Sequence, residues 1–164
     1  MKEIVQKENK ILREKAKEIS LDDISLAKIQ NIIKEMKETL AIQEDGVALA
    51  APQVEKSIRL FIISEKAYKL NGEEDSKNKK YVFINPQITK LSKKTKWLEE
   101  GCLSVVGWFG FVKRSTNCTI EAYDEQGEKF TRGAGGLLAQ AFQHEVDHLN
   151  GILFVDKAKD LKKI

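Results

Sequence analysis

The chain has 164 residues, of which 41% are hydrophobic and 32% charged; this excludes a disordered polypeptide and is enough to bury a substantial core in a single expected domain, residues 1–164. Its 28 basic and 25 acidic residues are interleaved and leave a formal charge of +3, which argues against a dedicated nucleic-acid surface. No apolar run approaches the ~20 residues that cross a bilayer, and the opening "MKEIVQKENKILREKAKEIS" has no apolar signal core, so a cytoplasmic protein is expected.

From Asp22 to Ile42 the apolar residues Ile24, Leu26, Ile29, Ile32, Ile33, Met36 and Leu40 recur at helical spacing. This predicts an amphipathic helix facing the core, with Asp22 or Asp23 placed to cap its start. "GVALAAPQV" follows, dense in small residues, and then "IRLFIIS" (Ile58 to Ser64) reads as a strand. "EKAYKLNGEEDSKNKK" reads as a polar loop, "YVFINP" as a strand stopped by Pro86, and "QITKLSKKTKWLEE" as one or two half-buried strands. In "TNCTIEAYDEQGEKFTR" two strands flank a turn, a hairpin in which Cys118 takes the apolar phase as a small core residue. "GAGGLLAQAFQHEVDHLNG" predicts a helix entered through glycines and closed at Asn150-Gly151. The final "ILFVDKAKDLKKI" predicts a short strand and a polar tail. The class is α+β: mostly antiparallel strands packed around a central metal-binding helix, with an N-terminal amphipathic helix.

Both histidines of the chain, His144 and His148, stand in "QAFQHEVDHLNG" with Glu145 directly after the first. Residues four apart share one helix face, so both imidazoles can point at one ion. Leu137, Leu138, Ala141, Phe142 and Leu149 put the pair on the apolar half of that helix. Two histidines leave a divalent metal short of a tetrahedron, and the glutamate between them is too poorly aimed to ligate and is free to act as a base on water. Only Asp156 and Asp160 follow as downstream carboxylates, and neither sits in a third-ligand pattern. The better third ligand is Cys102, presented in "LEEGCLSVVG" after a strand. A thiolate with two imidazoles suits Zn²⁺ or Fe²⁺ and leaves a position open.

Three segments in this order, "GVALAAPQ", "EGCLS" and "QHEVDH", together with "INP", Arg114 and "HLNGILFVD", resemble the motifs of the peptide deformylase family over nearly the whole chain. The resemblance implies hydrolysis of the formyl group from the N-terminal methionine of new polypeptides. It implies Cys102, His144 and His148 as metal ligands and Glu145 as general acid/base. Gln53 and the backbone N–H of Leu103 would hold the developing oxyanion. The substrate would add as a strand along Val47 and Ala48, with Val47, Glu100, Leu137 and Ala141 bordering the methionine pocket. The implied cofactor is one divalent ion, Fe²⁺ in the cell, with Ni²⁺, Co²⁺ or Zn²⁺ accepted. The implied partner is the N-formylmethionyl nascent chain, with a monomer expected, and the Lys-rich tail is a candidate for transient ribosome contact.

Three positions depart from the family pattern. Ala48 replaces a glycine, and its methyl group is expected to narrow the site. "VVGWFGF" replaces a proline-containing segment, so Trp108, Phe109 and Phe111 form either core or an apolar lip at the mouth. Ser115 follows Arg114 where proline is usual. Two other readings stand beside the enzyme: a general metalloprotease, which needs a downstream ligand, and a relative that binds metal and peptide without turnover. A redox role for Cys102 is a third.

Overall fold

Side-chain alternation decides the layering. The computed structural model describes residues 2–164. In it β1 (Ala48–Ala50) and β2 (Leu60–Ile63) are buried on both faces throughout, and β3 (Val82–Leu91) is so only over its first three residues. One face carries Ala48, Ala50, Phe61, Ile63 and Phe83 into a cluster with α3 (Gly136–Leu149). The other carries Leu49, Leu60, Ile62, Val82 and Ile84 into a cluster with α1 (Ala27–Ala41). With β6 (Asn117–Tyr123) and β7 (Lys129–Gly135) these form a five-stranded antiparallel sheet in the order β1-β2-β3-β6-β7. Helices thus cover both faces, which is why "LFII" is apolar without alternation. A smaller antiparallel sheet, in the order β4-β5-β8, holds β4 (Thr95–Cys102), β5 (Val105–Ser115) and β8 (Lys159–Lys163).

At the centre, Phe61 stacks on its register partner Phe83 at 4.6 Å between centroids. Phe142 of α3 tilts against Phe83 at 5.0 Å. This seam fixes the depth at which α3 lies on the sheet, and with it the height of the histidines two and six residues further on.

Four local expectations change. Asp22 and Asp23 do not cap α1: they belong to a separate 3-10 turn, Leu21–Asp23, and α1 starts after Leu26, which has no side-chain cap. The turn closes on its own backbone bonds, Asp23 N–H to Ser20 and Leu26 N–H to Asp23. The polar stretch after Ser64 contains a short helix, α2 (Glu65–Leu70), because the Ser64 hydroxyl accepts from Ala67 N–H and Tyr68 is fully buried. Strand β3 runs through Pro86 rather than stopping there. It passes it at a register shift between Ile84 and Gln87, where the missing N–H is not needed. Asn85 takes a positive φ of 50° there, and its amide makes a two-way bond with the Ile19 backbone. Finally, the last strand lies in the polar tail and not in "ILFV", which forms a 3-10 turn at Phe154–Asp156. No residue of β8 is buried, so alternation had nothing to mark.

The aromatic seam makes a direct prediction. Phe142→Ala should lower unfolding free energy by about 3–5 kcal/mol, the usual range for a buried phenylalanine, read as an earlier urea midpoint at unchanged slope.

Candidate metal centre

The centre is assembled from the two sheets and α3. Helix α3 begins at Gly136, whose φ of 56° suits glycine and where a Cβ would lie 2.6 Å from Asn71 Oδ1. That same oxygen accepts from Leu137 N–H at 2.9 Å, so the residue ending α2 satisfies a first-turn donor of α3. The helix ends at Asn150, followed by Gly151 with φ 75°. Between these ends, His144 and His148 lie one turn apart with ring centroids 4.9 Å from each other.

Cys102 ends β4 opposite Val105, and only Leu103 and Ser104 join the two strands. Its Sγ lies 3.3 Å from His148 Nε2. One donor atom from each of Cys102, His144 and His148 falls within 4.8 Å of the others. A sulfur and two imidazole nitrogens at this spacing fit a single divalent ion with small inward adjustment. Downstream carboxylates play no part: Asp156 pairs with Arg13 and accepts from Leu153 N–H, and Asp160 lies on the exposed β8.

Around the donors sits a chain of buried charge. Arg114 of β5 is 3% exposed and donates through Nε and Nη2 to both oxygens of Glu100, at 2.7 and 2.8 Å. Its Nη1 donates to Asp147 Oδ2 of α3 at 2.8 Å. Glu100 Oε1 in turn lies 2.9 Å from His144 Nδ1. This holds the ring so that Nε2 faces the cluster, as a carboxylate behind a metal-binding histidine does. Burial opposes charge on Glu100, but the guanidinium and the His144 ring outweigh it and hold the carboxyl at about 2. Burial also opposes charge on Arg114, yet its two carboxylates keep it above its ordinary value. His148, wholly buried, is pushed well below the ordinary histidine value by desolvation and by His144. A neutral imidazole is the form that offers a lone pair.

Glu145 is 3% exposed. Burial raises its carboxyl to about 7. Its Oε2 is 3.9 Å from His144 Nε2, and its Oε1 has no partner among the described residues. A buried oxygen without a partner beside three donor atoms is a group awaiting a proton or a water. Gln53, on a 3-10 turn at Ala51–Val54, spends its oxygen on Ala50 N–H at 2.9 Å. Its NH₂ donates to Ser104 Oγ at 3.0 Å and faces Cys102 Sγ at 3.7 Å. The amide therefore has a fixed sense, with donors toward the centre.

A cleft of about 400 Å³ opens over this arrangement. Every site residue named from the sequence lines it except His148, which is buried beneath. Val47, Leu137 and Ala141 supply apolar wall. Ala48 also lines it, its methyl group in the cluster shared with Ala141 and Phe142. Strand β1 ends its sheet, so its outer edge pairs with no strand among the described residues. Of the three aromatics, Phe109 alone lines the mouth, joined by exposed Leu70 and Val106, which the sequence reading did not name. Trp108 lies half-buried with Lys7 Nζ 5.5 Å from its ring centre. Phe111, partly buried, stands clear of the cleft. Ser115 donates its N–H to Gln143 Oε1 at 3.0 Å and accepts from Gln143 Nε2 at 2.9 Å. A proline here could not donate the first bond. Asp147 and the Arg114 fork were also missed as functional elements: nothing in linear spacing shows that a strand residue and a helix residue meet.

Fold and site together define a class, the metal-dependent hydrolases that place a His-Glu-x-x-His helix against a ligand from outside it. A family model described as "Polypeptide deformylase" matches residues 1–164, and the chain belongs to that family. A peptide deformylase of Chloroflexus aurantiacus is 40% identical over 163 residues, covering 96% of this chain and 85% of that protein. One from Christiangramia forsetii is 40% identical over 159 residues, covering 93% and 79%. Among solved structures, the peptide deformylase of Thermotoga maritima superposes with a TM-score of 0.82 at 33% identity, covering 97% and 98% of the two chains. That of Synechococcus elongatus in complex with actinonin gives 0.80 at 33% identity, covering 96% and 79%.

Removing one partner from a buried ion network strands the others. Arg114→Met should therefore cost about 3–5 kcal/mol of stability, measured by urea unfolding of the metal-free protein.

Proposed function

We propose that this chain removes the formyl group from the N-terminal formylmethionine of new polypeptides, with Cys102, His144 and His148 holding one divalent ion and Glu145 moving the proton. The observation that carries this reading is the convergence of those three donors beside a buried, unpartnered carboxylate oxygen. A bound divalent ion would supply a Lewis acid for the formyl oxygen and lower the pKa of water toward ~7. Thiolate and imidazole donors suit Fe²⁺ or Zn²⁺, and we assign Fe²⁺ as the ion used in the cell, with Ni²⁺ and Co²⁺ as substitutes.

Val47, which precedes β1, and Ala48, on its free edge, would pair with the backbone of the incoming peptide as an added strand. The methionine side chain would enter between Val47, Leu137, Ala141 and the stem of Glu100. Water adds to the formyl carbon while Glu145 accepts its proton, a role suited to a carboxyl near neutrality. Gln53 Nε2 and the Leu103 N–H face the oxygen on which charge develops, each worth about 3–4 kcal/mol in comparable oxyanion holes. Glu145 then returns the proton to the amide nitrogen, the C–N bond breaks, and formate and a free α-amine leave. The chain acts as one catalytic domain, monomeric and cytoplasmic, meeting its substrate as the nascent chain emerges. Its Lys-rich tail is the segment placed for transient ribosome contact.

The test is formate release from formyl-Met-Ala-Ser by protein reloaded anaerobically with Fe²⁺, Ni²⁺ or Zn²⁺. Turnover should appear with the ferrous and nickel forms and vanish on chelation. Glu145→Gln should lower kcat by at least about 10²-fold while metal stays bound, and Cys102→Ala should lose metal and activity together. Full turnover in Glu145→Gln would refute the mechanism.

A further inference from the structure

The two residues between Cys102 and Val105 form a hairpin loop that the local sequence does not favour. Two-residue hairpins match strand twist through turns with positive φ at the first or both central positions. Neither Leu103 nor Ser104 has positive φ, and the strand register shifts just before the turn, between Glu100 and Cys102. A turn without positive φ tends to splay the strands it joins, so contacts from outside it contribute to fixing its shape.

The outside support comes from the N-terminal segment. Gln6 Nε2 donates to Leu103 C=O at 3.0 Å, and Gln6 Oε1 accepts from Val106 N–H at 3.4 Å, so one amide spans the turn. Lys7 N–H donates to Ser104 C=O at 2.8 Å. Val5 N–H donates to Gln53 C=O at 2.9 Å, tying the same segment to the second proposed oxyanion donor. Ile4 and Leu103 pack against one core cluster, Val5 and Cys102 against another. A three-residue stretch about a hundred positions away thus grips both elements that would hold the developing charge.

We propose that Val5–Lys7 is a positioning clamp for this turn, with Gln6 as its central positioning residue. It sets the direction of the Leu103 N–H and the seat of Cys102 without touching substrate. The inference rests on the deformylase reading for its effect on rate, but the clamp itself has an independent readout. Gln6 is exposed, so replacing it by methionine removes the bonds to Leu103 and Val106, with a long local one to Ile4 C=O, at similar length while the core stays intact.

The experiment compares wild type with Gln6→Met and Gln6→Ala by backbone amide hydrogen exchange and by formate release from formyl-Met-Ala-Ser. Amides of the Leu103–Val106 turn should exchange about tenfold faster in both variants, with α3 unchanged. Their kcat should fall roughly tenfold with KM within about twofold, the pattern of an interaction felt in the transition state. Unchanged exchange in the turn would overturn the clamp, as would faster exchange with unaltered kcat. Acceleration spread over the whole chain would mark Gln6 as a general stabiliser and also overturn it. If wild type releases no formate under any metal, the deformylase reading fails, and the exchange data alone judge the clamp.

Discussion

A guanidinium buried between two carboxylates holds this molecule's working parts in one frame. Arg114 stands on the small sheet; one of its partners, Glu100, shares that sheet, and the other, Asp147, lies on α3. The two sheets share no strand, so backbone ladders alone do not set where β4 lies relative to the helix. Yet a sulfur from β4 and two imidazole nitrogens from α3 come within 4.8 Å of one another. The Glu100–Arg114–Asp147 bridge supplies that registration, and the bond from Glu100 to His144 passes it directly to a donor ring. Desolvating three charges gives little net stability. What it secures here is geometry, since no apolar triad could orient an imidazole.

A second layer of fixed hydrogen bonds determines what the cleft can do chemically. Gln53 cannot turn its amide over without abandoning Ala50 N–H and Ser104 Oγ. The donors facing Cys102 are therefore oriented before any substrate arrives, which is the condition for electrostatic stabilisation of developing charge. Glu145 is treated oppositely. It receives no compensating partner at Oε1, and burial leaves it near neutrality. One buried carboxyl, Glu100, is thus held well below the ordinary glutamate value by its partners, while another, Glu145, is raised to about 7 by burial.

Much of this was legible in the sequence because it depends on short-range pattern. The period of α1, the unbroken apolar run of β2, the hairpin around "DEQG" and the glycine-bounded α3 all follow from local chemistry. The histidine pair and Cys102 stood out as a candidate set because few residue types can ligate a metal, and folding brings their donor atoms within 4.8 Å of one another. What escaped depends on contacts distant in the chain. Tyr68 buries only because the sheet is there to receive it, so α2 read as a loop. Strand β8 has no inward face, and its place is set by pairing with β5. Pro86 looked like a strand end until a bulge gave it somewhere to sit. Asp147 and Gln6 are polar residues of ordinary kind, and only folding shows that one completes the Arg114 fork and the other spans the Cys102 turn.

Cys102 Sγ and the His144 and His148 imidazoles are placed to converge on a single ion. X-ray absorption at the metal edge of the zinc- or nickel-loaded protein tests it without relying on turnover. The zinc form should show one sulfur at about 2.3 Å and two nitrogens at about 2.0–2.1 Å, with a light-atom position left for water. A first shell without sulfur, or one built from carboxylate oxygens, would contradict it.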